Sequence, residues 1–203
     1  MTTLVIVLVL LVLIAVTFFM TAKINKEGYS NYFNVKKILD VSVFLLSYCM
    51  FVSLVENQKA SSQGSLLEYM YIAGSIAFAL WSLYLALSQF SFFSKNAPAA
   101  KDFGFYLMMF SVLIELLCAF ALIYYSLYSL NSSWFSGVAL GTPAETAFEF
   151  FYYAFTLSVS YGGNSLSAVG TLPRTVEMLH ISLFYLFYAD VLIRVFKQSE
   201  KEP

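Results

Sequence analysis

TPAETAFEFFYYAFTLSVSYGG, Thr142 to Gly163, is the stretch on which the organisation of this chain turns. It starts as a helix starts: Thr142 offers a hydroxyl N-cap, Pro143 takes the first helical position and Glu145 stands three residues after the cap. Phe148, Phe150, Phe151, Tyr152, Tyr153 and Phe155 follow, and the pattern predicts a helix from Pro143 to about Leu157. Such a helix is too short to cross a hydrocarbon core of about 30 Å. The Ser-Val-Ser-Tyr-Gly-Gly that comes next, Ser158 to Gly163, reads as extended or turning chain. Non-helical backbone at membrane depth is tolerated only where protein buries it or where it lines a water-filled path, so a re-entrant helix followed by this segment implies a pore or cavity. The negative end of the helix dipole would favour a cation there.

Outward from this stretch the chain is membrane-like. Hydrophobic residues make up 60% of the sequence and charged residues 11%, with a mean hydropathy of +0.77, whereas soluble domains carry roughly one-quarter charged residues. The net charge of −1 has no basic clustering and gives no reason to expect nucleic acid. Five apolar runs are long enough to span: Thr3 to Ala22, Ile38 to Val55, Leu66 to Phe92, Phe103 to Leu130 and Val176 to Phe196. The first lacks the basic start of a cleaved leader and reads as a retained span. Lys23, Lys26, Lys36 and Lys37, then Lys95 and Lys101, then Arg194, Lys197 and Lys201 fall on one side. The positive-inside rule makes that side cytoplasmic, with the N-terminus outside and the C-terminus inside. The Thr142 to Gly163 stretch then dips in from outside and returns there. Cys49 and Cys118 lie within apolar runs and suggest packing, not a disulfide framework.

The segment Ser158-Val159-Ser160-Tyr161-Gly162, preceded by a short capped helix and followed by a long apolar run, resembles the selectivity filter of the potassium-channel family. In that family four such segments surround an axis and replace an ion's hydration shell with backbone carbonyl oxygens. The resemblance covers roughly Glu145 to Phe196. It implies an all-α integral membrane fold of five transmembrane helices plus a re-entrant pore helix. Residues 1–102 would form three N-terminal helices and residues 103–203 a pore module, with outer helix 103–130, pore helix 143–157, filter 158–162 and inner helix 176–196. It implies a homotetramer in the lipid bilayer of the plasma membrane that passes potassium passively, needs no cofactor and performs no enzymatic step. Ser158, Val159, Ser160, Tyr161 and Gly162 would bind the ion, Ser158 keeping a hydroxyl for the innermost site. Tyr185, Tyr188, Leu192 and Phe196 would form an inner-pore stripe. Ser160 replaces the first filter glycine and Gly163 an aspartate that braces the loop. These departures leave a poorly selective channel admitting sodium, or a non-conducting accessory subunit, as alternatives. Phe184 stands at a common hinge glycine.

Other polar residues divide between packing and function. Glu115 lies near the middle of a span, where an ionisable group is costly and points either to function or to a protonated packing group. Asp190 and Arg194 have the spacing of an intrahelical pair. No run carries the repeated arginines of a voltage sensor. His180 is the only histidine. From a different class, a serine hydrolase would use His180 as base and Ser165 or Ser167 as nucleophile, which requires hydrogen-bond reach between them. Asn131-Ser132-Ser133 is a glycosylation sequon.

Overall fold

A computed structural model describes residues 32–61, 66–96, 103–138, 141–159 and 165–199 together with Ala15. The predicted span Thr3 to Ala22 otherwise lies outside the described residues. The elements are α1 (Tyr32–Ser61), α2 (Leu66–Asn96), α3 (Phe103–Leu130), a 3-10 turn (Ser132–Trp134), β1 (Phe135–Ser136), α4 (Pro143–Ser158), β2 (Ser167–Ala168) and α5 (Thr171–Ser199). Among the described residues, four helices are long and apolar enough to cross a membrane, over Lys37–Asn57, Leu66–Leu87, Tyr106–Leu130 and Thr171–Ile193. This is the architecture of an all-α membrane protein. The last window begins five residues before the predicted Val176, because Thr171 to Thr175 already belong to the helix.

Helix α2 shows why these helices suit lipid. Its buried face carries Glu68, Ile72, Ser75, Ala79, Ser82 and Ala86, while Leu66, Met70, Leu80, Trp81, Tyr84 and Leu87 are exposed. Small residues let helix backbones approach, and large apolar ones can face hydrocarbon at no cost, which reverses the pattern of a soluble helix. Interhelical hydrogen bonds add to the packing: Ser75 Oγ lies 2.6 Å from Ser126 Oγ, and the Tyr125 hydroxyl donates to Glu56 Oε1 at 2.8 Å. The carboxylate of Glu115 is fully buried and accepts from Ser111 Oγ, one turn earlier, at 2.9 Å. Lys37 Nζ pairs with Asp40 at 3.6 Å within α1.

Helix α3 is central and packs against α1, α2, α4 and α5. Its ring contacts fix the direction of its partners. Tyr124 meets Tyr153 and Tyr128 meets Phe150, so α4 runs antiparallel to α3. Tyr124 meets His180 and Phe120 meets Phe184, so α5 is antiparallel to α3 as well. Helices α4 and α5 therefore run in the same direction beside each other. The chain that leaves α4 at Val159 has returned by Ser167, where β2 pairs antiparallel with β1 through Phe135 with Ala168 and Ser136 with Ser167. That ribbon follows directly on the end of α3. Phe135 closes the core beneath it against Tyr124, Tyr128, Phe150 and Tyr153.

Candidate functional site

The short helix α4 is built as its sequence predicts. Thr142 is the N-cap, its hydroxyl accepting from Glu145 N–H at 3.4 Å, while Glu145 Oε2 accepts from Thr142 N–H at 2.6 Å. The Thr142 backbone N–H and then its hydroxyl hold the Glu145 carboxyl below the usual carboxylate range. The helix buries Ala147, Phe150, Tyr153, Ala154 and Ser158 against the body of the protein. Tyr48 of α1 supports it by donating its hydroxyl to Ala147 O and packing on Phe151. Phe148, Tyr152 and Phe155 remain exposed on the other face.

The helix extends one residue beyond the predicted Leu157, so Ser158 is its last helical residue. Val159 caps it with φ −97° and ψ 7°. The two leading residues of the predicted extended segment thus continue the turn of α4. The Ser158 hydroxyl bonds back to the carbonyl four residues earlier, Ala154 O, at 2.8 Å, a bond that is compatible with the helical turn. Ser160, Tyr161 and Gly162 lie outside the described residues.

Two polar ties flank that segment, and one face of α5 supplies both, through Arg174, Glu177 and His180 at three-residue spacing. At the β2 end, Tyr153 of α4 donates its hydroxyl to Glu177 and accepts the Ala168 N–H at 3.2 Å. Arg174 Nε donates to Ala168 O at 3.1 Å, so Ala168 is held through both its backbone groups. Across the ribbon, Ser136 Oγ lies 2.8 Å from Ser167 Oγ. At the α4 end, His180 Nε2 lies 3.0 Å from Ser158 Oγ, and its Nδ1 lies 2.9 Å from the Tyr124 hydroxyl. The imidazole is fully buried and stacks on Phe120 with centroids 4.0 Å apart and planes 2° from parallel.

His180 does not meet the serines expected of a hydrolase. Ser165 is exposed and Ser167 is bonded to Ser136. The serine that His180 does meet, Ser158, is buried and has its own acceptor at Ala154. Of the predicted inner-pore stripe, Tyr185 and Leu192 are exposed, and Tyr188 is half-buried against Phe184 and Phe187. The side chains of Phe196 and Arg194 lie outside the described residues. Asn131, read as a sequon, caps the 3-10 turn by accepting from Ser133 N–H at 3.1 Å and Ser133 Oγ at 2.7 Å.

Tyr124, Tyr153 and Glu177 escaped the sequence reading as site residues. For Glu177 the signal was present, since Arg174, Glu177, His180 and Phe184 mark one helical face. For the two tyrosines nothing local separated them from the many aromatic residues around them. Among the described residues, no group of three histidine, cysteine or acidic side chains is placed to hold a metal ion. Comparison of the chain with protein families, curated proteins and solved structures finds no match.

Proposed function

We propose that this chain is one subunit of a pore-loop cation channel, with the segment from Ser158 to Gly162 forming one wall of the ion path. The observation that carries the reading is the parallel placement of α4 and α5. A 16-residue helix, about 24 Å long at 1.5 Å per residue, runs beside a spanning helix in the same direction. In this reading the chain between them doubles back at the depth of the bundle. Lipid does not tolerate such a backbone, and four copies around an axis would supply protein and water in its place. The exposed apolar faces of α4 and α5 leave room for those copies. Potassium is the ion favoured by Tyr161-Gly162, while Ser160 and Gly163 favour a filter that also passes sodium. The helical position of Ser158 and the cap at Val159 support the second version, since they shorten the run of backbone left to line the path.

Reconstitution of the purified protein in liposomes tests this, with potassium and sodium flux measured separately for the wild type, Tyr161→Ala and Gly162→Ala. A channel gives cation flux that both substitutions change. Flux absent from the wild type, or indifferent to both substitutions, rules the reading out and favours a non-conducting accessory subunit.

A further inference from the structure

We propose that His180 is a positioning residue of this ion path: by tying the Ser158 hydroxyl into the protein wall it sets the angle at which the chain leaves α4 at Val159. This rests on the channel reading above.

A hydroxyl has a single proton to donate. Ser158 Oγ is 2.8 Å from Ala154 O, an acceptor with no proton of its own, so Ser158 donates there. Its contact with His180 Nε2 at 3.0 Å is then one in which the imidazole N–H donates and Ser158 accepts. A neutral imidazole protonated at Nε2 carries a bare Nδ1, which accepts from the Tyr124 hydroxyl at 2.9 Å. One order, Tyr124 to His180 to Ser158 to Ala154, gives every donor an acceptor and crosses α3, α5 and α4 in turn. The opposite order leaves the Tyr124 proton without an acceptor among the described residues.

Exposure shows where the hydroxyl points. An axis shared by several copies must lie on a surface that is open in one copy alone. Ser158 is only 6% exposed, although no other copy covers it, whereas Phe155 and Val159 beside it are exposed at 42% and 47%. The Ser158 side chain therefore faces its own subunit. The Phe120 stack keeps the imidazole from turning away.

The test is the potassium-to-sodium flux ratio in liposomes, together with oligomer mass by native mass spectrometry. His180→Phe keeps an aromatic ring for the Phe120 stack but removes both nitrogens, and Ser158→Ala removes the hydroxyl. Each should change the ratio by about two- to tenfold, the weight of one neutral hydrogen bond. The double variant should match either single one, because both act through one contact. His180→Gln, which can offer an amide N–H near the Nε2 position, should restore most of the wild-type ratio. If His180→Phe does not assemble, Ser158→Ala and His180→Gln decide alone: Ser158→Ala must shift the ratio and His180→Gln must keep it. An unchanged ratio in Ser158→Ala and His180→Phe, while Tyr161→Ala still alters flux, overturns the role of His180 and leaves the channel reading standing. Additive effects in the double variant also overturn it, since the hydroxyl would then act on the ion independently of His180. Wild-type protein without flux overturns both.

Discussion

Gly137 sits where no side chain fits. Its φ of +81° is in the left-handed region that glycine alone enters cheaply, and an added Cβ would stand 1.9 Å from Ser165 O. Backbone cannot yield as the tip of a flexible side chain can. Gly137→Ala should therefore separate β1 from β2 and release the Ala168 peptide from Tyr153 and Arg174. The expected cost is about 1–3 kcal/mol, the size of a strained backbone position, read as a lower midpoint of thermal unfolding in detergent. Phe150 makes a different demand. It is fully buried and touches Tyr125, Tyr128 and Phe135, so Phe150→Ala opens a cavity where α3, α4 and β1 meet. A loss of about 3–5 kcal/mol is expected. Phe148→Ala, on the exposed face of the same helix, should cost much less in an isolated subunit. Equal losses for the two would mean that α4 does not bury the face described.

At the scale of the element, α4 shows which features a sequence makes legible. Thr142, Pro143 and Glu145 specify a helix start through contacts three residues apart, and every part of that capping box is formed. The four described spans were legible for a similar reason, since twenty apolar residues in a row admit few structures in lipid. The other end of α4 was not legible. Ser158 at that end is in contact with His180, 22 residues further on, and no periodicity reports such a contact. The β1–β2 ribbon escaped because two-residue strands carry no alternation to detect. The cap yields a prediction with a definite sign. Glu145 has its carboxyl lowered by Thr142, so the stability it contributes is present above its unfolded pKa and is lost as pH falls through the folded one. The start of α4 should loosen under acid, seen as faster proteolysis near Gly141. Glu145→Gln should remove that acid response, and Thr142→Ala should weaken the cap at neutral pH by about 1 kcal/mol. An acid response that survives in Glu145→Gln would assign it to another group.

Over the whole molecule, the two halves differ in how completely they bury themselves. Helices α1, α2 and α3 enclose a common interior, and α2 turns its large residues outward as a lipid-facing helix does. Helix α5 is held mainly along Arg174, Glu177, His180, Phe184 and Phe187, while Met178, Leu179, Tyr185, Leu186, Leu192 and Ile193 are exposed. On α4 the exposed residues Phe148, Tyr152, Phe155 and Val159 recur at spacings of four, three and four, a continuous stripe beside the proposed ion path. Lipid could cover a spanning helix on any side, but a re-entrant segment needs protein around it. In a tetramer this stripe would meet a neighbouring copy. Native mass spectrometry should accordingly find a species at four times the 22.9 kDa chain mass. Tyr152→Ala with Phe155→Ala should shift that species toward monomer by about tenfold or more, the effect of losing roughly 1.4 kcal/mol or more at an aromatic contact. Leu80→Ala with Trp81→Ala, a comparable loss of apolar surface on the exposed face of α2, should leave the distribution unchanged. If the α2 pair dissociates the assembly as readily as the α4 pair, the stripe is ordinary lipid-facing surface. If neither pair has an effect on a tetramer that does form, the copies meet through α5, and the ion path must be walled chiefly by that helix.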